Sequence, residues 1–166
     1  MSSSWGNPTW ALFHTLANHV SEESFSKIKP GLIFTIMQIC NHLPCPECSI
    51  HAKSFWRKTN VSAIHTKQDL INVLFVFHNC VNKRKRKAIF KFEDLSQYNH
   101  YNLLQVFNSF VRRFNTKGNM KMLADTFHRT QLLVRVKKWL VENIIHFNRA
   151  AHTPAPSPLP LELQRA

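Results

Sequence analysis

Only three glycines are spread over 166 residues, and apolar side chains recur about every three or four positions along most of the chain. Together these features limit the fold more than any other property of the sequence. Turn-dense all-β folds and glycine-rich dinucleotide loops both need residues that tolerate left-handed backbone, and this chain has too few of them. Apolar residues make up 44% and charged residues 19%, enough to build a hydrophobic core and against wholesale disorder. The length suits one compact domain. The sequence contains no internal repeat.

The helices are placed by their caps. Asn7 and Pro8 form an N-cap and first-turn pair ahead of Trp10, Phe13, His14 and Ala17. A second helix is expected from about Phe25 or Pro30 to Asn41, and a third from Pro46 through Cys48, Ala52 and Phe55. Thr66-Lys67-Gln68-Asp69 resembles a capping box and precedes Leu70, Leu74, Phe77, His78 and Val81 on one face. The basic run Lys83 to Lys87 is read as a loop or frayed helix end. Two amphipathic stretches follow, about 93–115 and 119–148, separated near Gly118. Pro154, Pro156, Pro158 and Pro160 mark a disordered tail. The expected fold class is all-α: a small bundle with a C-terminal helical extension.

Residues Met1 to Trp5 lack the basic and apolar regions of a secretory signal, and no apolar run approaches the roughly 20 residues of a membrane span. The expectation is a soluble, cytosolic protein. In such a setting the four cysteines, Cys40, Cys45, Cys48 and Cys80, point to redox or metal chemistry rather than a disulfide scaffold.

Three clusters carry the chemistry: Trp5-Gly6 with Trp10 and His14; Cys45-Pro46-Glu47-Cys48 with His51-Ala52; and His78-Asn79-Cys80-Val81-Asn82. A Cys-x-x-Cys at a helix N-terminus is stabilised as thiolate by unpaired N–H groups and the helix dipole. Its spacing lets the pair cycle between dithiol and disulfide. Aromatic and amide side chains at helical spacing suit a planar, hydrogen-bonding cofactor such as a flavin. Taken alone, the pair is equally a metal half-site, and Cys40, Cys45, Cys48 and His51 would supply a Cys₃His zinc set. Cys40 and Cys80 read as buried free thiols.

In this order and register the three clusters resemble the Erv/ALR FAD-linked sulfhydryl oxidases, with the short forms of large DNA viruses as the nearest pattern. The resemblance covers residues 5 to 98. It implies a four-helix bundle holding FAD at its mouth. Cys48 would be the sulfur facing the flavin and Cys45 the sulfur attacked by a reduced partner. Gly6, Trp10, His14, His78, Asn79, Val81, Asn82 and Lys87 would contact FAD. The electron donor would be a reduced protein thiol or a thioredoxin-like viral relay protein, and O₂ the acceptor, yielding hydrogen peroxide. A homodimer, action in the cytoplasm of an infected cell and a late role in virion assembly are also implied. The second Cys-x-x-Cys that cellular members carry on a flexible arm is absent. On this reading residues 1–98 form the oxidase domain, 99–148 a helical extension without an assigned role, and 149–166 a tail.

Twenty-two Lys and Arg against nine Asp and Glu give a net charge of +13. A polyanion partner is therefore the alternative reading, with the Cys cluster structural in a basic nucleic-acid-binding or virion protein. Lys87 and its neighbours also suit a cofactor pyrophosphate. Arg129, Arg135, Lys137 and Lys138 are expected to form a solvated basic face on the last helix.

Overall fold

A computed structural model describes residues 5–115 and 123–147. Among these residues the secondary structure is helical, apart from one isolated antiparallel bridge between Val20 and Phe147. The helices are α1 (Gly6–His19), α2 (Glu22–Asn41), α3 (Pro46–Lys58), α4 (Lys67–Arg84), α5 (Leu103–Phe114) and α6 (Leu123–Asn143). Short 3-10 turns lie at Val61–Ala63, Phe92–His100 and Ile144–His146.

Helix α1 starts one residue before the expected cap. Trp5 is the N-cap and no side chain caps the helix. The first backbone bond runs from Thr9 N–H to the Trp5 carbonyl, 3.1 Å. Pro8 therefore falls among the first-turn residues whose N–H would be unpaired anyway. Helix α2 starts earlier than expected because Ser21 Oγ accepts from Ser24 N–H at 3.2 Å, with Glu22 and Glu23 favouring the positive helix end. Pro30 is carried inside it.

Helix α4 has the expected capping box. Thr66 Oγ1 accepts from Asp69 N–H at 3.1 Å, and Asp69 Oδ2 accepts from the Thr66 and His65 N–H groups. The basic run is the end of this helix. Arg86 N–H bonds the Lys83 carbonyl and Lys87 N–H the Asn82 carbonyl, with Arg86 in the left-handed region at φ 52°. That is a Schellman ending built on arginine instead of glycine.

The stretch expected as one helix over 93–115 is divided. Leu95 and Tyr98 are the buried residues of its first part. Their three-residue spacing is the period of a 3-10 turn, and that turn packs on α1. Asn102 then caps α5, its Oδ1 accepting from Gln105 N–H at 3.0 Å. Leu103, Phe107, Phe110 and Phe114 form the buried stripe of α5.

Helix α1 is the central element, buried from Leu12 to Val20 and packed by α4, α5 and the 92–100 turn. Helix α2 packs on α3 and α6. Phe107, Phe110 and Phe114 of α5 and Leu132, Leu133, Val136 and Leu140 of α6 join the same buried cluster as Phe13, Leu32, Ile36 and Leu74. Gly31 allows α6 close to α2, because a Cβ there would stand 2.6 Å from Trp139 Nε1. The end of α6 is tied back by Ser21 N–H to the His146 carbonyl, 2.9 Å. The expected break near Gly118 and the proline-rich tail lie outside the described residues.

Candidate active site

The Cys45-Pro46-Glu47-Cys48 segment is the first turn of α3. Cys45 is the N-cap residue, and Pro46 occupies the first turn without losing a needed hydrogen bond. The two cysteines form a disulfide with Cα atoms 5.1 Å apart. Cys48 N–H points at Cys45 Sγ, 3.2 Å away. The sulfurs differ in surroundings: Cys48 is 7% exposed, whereas Cys45 is half-buried.

Cys48 opens on a cleft. Its walls come from the three sequence clusters. Gly6 and Trp10 arrive from α1, Cys48 from α3, and His78, Val81, Asn82 and Lys87 from α4 and its ending. Two of the remaining candidates stand behind this wall. His14 is fully buried and hydrogen-bonds His78, Nε2 to Nδ1, at 3.0 Å. Asn79 points the other way: its amide donates to the Phe90 carbonyl and accepts from the Phe90 N–H. Its side chain fastens residue 90, and its Oδ1 also accepts from Asn82 Nδ2 at 3.5 Å. Phe90 is thereby held stacked on His78, 4.8 Å between ring centres. Cys45 does not line the cleft.

The floor is aromatic. The Trp10 indole stacks on the His78 ring at 4.1 Å and 10°, and Phe77 meets Trp10 edge-on at 5.1 Å. Tyr98 stacks on His14. Burial, reinforced by Lys87, pulls the His78 imidazole down to about 4, and burial with the His78 neighbour pulls His14 well below the ordinary histidine value. Both rings are therefore neutral at pH 7 and present hydrogen-bonding nitrogens without charge.

Sequence reasoning placed Trp5 in the first cluster without giving it a cofactor contact and did not single out Phe13, Phe77 or Arg84; all four line the cleft. Phe13 and Phe77 carry the core pattern and differ from it only by adjoining His14 and His78. Arg84 and Lys85 belong to a run that reads as solvated surface. Arg84 Nη1 donates to Glu47 Oε1 at 3.1 Å, while its Nη2 is buried without a partner.

The residues fit FAD. An aromatic floor suits a planar isoalloxazine, and the unpaired Arg84 donor beside Lys85 and Lys87 suits a pyrophosphate. The zinc set is not assembled. Cys45 and Cys48 are bonded to each other, Cys40 is in the core, and exposed His51 faces Glu47 at 3.5 Å. Cys40 and Cys80 are both free, but only Cys40 is buried as expected while Cys80, on α4, is half-buried; burial pushes the Cys40 thiol up to about 12. No described helix is long and apolar enough to cross a membrane.

Residues 7–102 match the Erv1 / Alr family. The chain is 31% identical over 101 residues to an FAD-linked sulfhydryl oxidase of African swine fever virus from a Kenyan pig isolate, covering 61% of this chain and 84% of that protein. It is 33% identical over 90 residues to the FAD-linked sulfhydryl oxidase of a Malawian tick isolate of the same virus, covering 54% and 75%. No solved structure matches significantly.

Proposed function

The chain belongs to the Erv1 / Alr family, and from that premise we propose that it is an FAD-linked thiol oxidase that makes disulfides through its Cys45–Cys48 pair. One observation carries the reading: the two sulfurs are divided, Cys48 toward the aromatic, cation-edged cleft and Cys45 away from it. FAD, when bound, supplies a two-electron acceptor that passes its electrons to O₂ and yields hydrogen peroxide.

The chain's own residues then work in sequence. A thiolate of the reduced partner attacks Cys45 Sγ, the more open sulfur, breaking the Cys45–Cys48 bond and releasing the Cys48 thiolate. The partner's second thiolate attacks its own sulfur in the mixed disulfide, freeing Cys45 and forming the partner's disulfide. The Cys48 N–H stands ready to donate to the Cys45 thiolate so released, and the α3 N-terminus favours both anions. The dithiol then gives up two electrons and two protons across the cleft, and its disulfide is restored. The sum is one dithiol and one O₂ converted to one disulfide and one hydrogen peroxide.

Gly6, Trp10, Val81 and Asn82 line the FAD site, with Lys87 on its rim. His14 and His78 keep it neutral and stacked, and Asn79 acts on it through Phe90. The partner is a protein thiol or a thioredoxin-like relay, and the working unit a homodimer. The viral origin of the relatives supports action in the cytoplasm of an infected cell, late, in virion assembly.

Purified protein should be yellow and should consume oxygen with a small dithiol. Cys48→Ser should abolish turnover and keep flavin bound. Colourless protein, or turnover that survives Cys48→Ser, sinks the reading.

A further inference from the structure

A second cleft shares Leu43 with the first and is otherwise lined by different residues. It is bounded by Leu43 and Pro46, the residues that flank Pro44 and Cys45, and by Ser49 and Ile50 of α3. Its far wall is α6, which contributes Asp125, His128 and Arg129. Helix α6 lies outside the segment that matches the family. The cleft is thus built between the oxidase core and an element of this chain's own.

Arg129 is the unusual residue in it. The sequence places it on a solvated basic face, yet it is 2% exposed while Arg135, Lys137 and Lys138 of that face are exposed. Its Nη2 donates to Thr126 Oγ1 at 3.1 Å, and its Nε is buried without a partner. It forms no ion pair among the described residues, although Asp125 lines the same cleft. A buried cation without a counter-ion is costly, and its donors are best met by a carboxylate.

We propose that this cleft receives an acidic side chain of the reduced thiol partner, with the Arg129 guanidinium as its anchor. The inference rests on the thiol-oxidase reading. Pro46 and Leu43, at the edge of the cleft, stand one and two residues from Cys45, so the chain flanking the partner's cysteine is within reach of the cleft. Exposed Ile50, 64% accessible, offers an apolar contact at the mouth, and Lys53 adds a second cation. Arg129 thus selects partners that carry a carboxylate near the reactive cysteine.

The test uses the full FAD-loaded chain and dithiol peptides in which one Glu is walked along otherwise neutral flanks, each with its Gln counterpart. In at least one register the Glu peptide should show a kcat/KM about tenfold above the Gln peptide, carried by KM and shrinking as salt is raised. Arg129→Gln should bring that ratio to about one, and Arg129→Lys should keep part of it. A thiol-free Glu peptide should compete with the dithiol on the unaltered protein, and its Gln counterpart should not. This arm stands even if Arg129→Gln fails to fold. A ratio of one in every register, or a preference that survives Arg129→Gln, overturns the proposal while oxidation of small dithiols leaves the oxidase reading intact. Failure to oxidise any dithiol overturns both.

Discussion

The Cys48 side of the disulfide and the Cys45 side meet different neighbours. Toward Cys48 stand stacked rings, neutral His78 with His14 behind it, and a rim of cations around one cleft. Close to Cys45 in sequence lies the second cleft, with no Trp, Phe or Tyr in its lining and one buried arginine supplied by α6. The sulfurs are three residues apart on one helix start, so local sequence makes them nearly equivalent. What separates them is packing: α1 and α4 supply the cleft that Cys48 lines, and Cys45 is left half-buried outside it. On the proposed reaction, in which the bond accepts electrons from a polypeptide and passes them to a flat cofactor, such a division lets each sulfur meet one reactant.

The sharpest way to break this contrast is to remove each sulfur in turn. Both Cys45→Ser and Cys48→Ser should abolish oxygen consumption with a dithiol, the largest effect expected of any substitution. The surviving thiols should then differ. Cys45 in Cys48→Ser should be alkylated by iodoacetamide many-fold faster than Cys48 in Cys45→Ser, since the latter is 7% exposed. Equal alkylation rates would mean that the two sides are not distinguished by access.

Acid should act on the Cys48 side. The His78 value falls from 6.5 in the unfolded chain to about 4 in the fold, and His14 shifts the same way. A depressed value means that the unfolded state binds the proton first. Stability is therefore fully present above pH 6.5 and is lost as pH falls from 6.5 toward 4. For His78 the loss is about 3 kcal/mol over that window. Thermal melts at pH 7 and pH 4.5 measure it, and His78→Gln should flatten the dependence. A melting temperature independent of pH in that range would contradict the buried neutral pair.

Flavin retention gives the next, smaller effect. Trp10→Ala removes the ring stacked on His78 and should weaken flavin binding on the order of tenfold. Equilibrium dialysis of the flavin would measure this. Arg129→Gln, in the second cleft, should bind flavin as the unaltered chain does. Parallel losses in both variants would merge the two clefts into one site.

Much of this arrangement was readable in the sequence, and the failures have physical causes. The cysteine pair, the capping box at Thr66 and the α1 and α4 clusters are local patterns, and local chemistry places them: caps and helical spacing bring Trp10, His78, Val81 and Asn82 to one wall. The bonds of Asn79 to Phe90 were not legible, because they are formed with a residue eleven positions away. Arg129 misled because i, i+3 and i+4 charge spacing describes one helix and cannot tell which neighbour covers it. The 3-10 turn over 92–100 has the apolar content of a helix, and only its period of three at Leu95 and Tyr98 separates the two.

The smallest effect tests the cationic rim itself. Arg86 is the one non-glycine residue with positive φ among those described, and it sits in the ending that carries Lys87 to the cleft. Left-handed backbone costs an L-residue roughly 1–2 kcal/mol, whereas glycine there adds roughly 0.5–1 kcal/mol of chain entropy to be lost on folding. Arg86→Gly should therefore stabilise the fold by about 0.5–1 kcal/mol, read from urea unfolding of the flavin-free protein. Arg86 is exposed and is not among the residues lining the cleft, so the Lys87 bond to the Asn82 carbonyl, 2.9 Å, should persist and flavin affinity should hold. Destabilisation would mean that the arginine side chain contributes more than its backbone costs. Loss of flavin without loss of stability would place Arg86 itself on the cofactor, and the rim would then extend past Lys87.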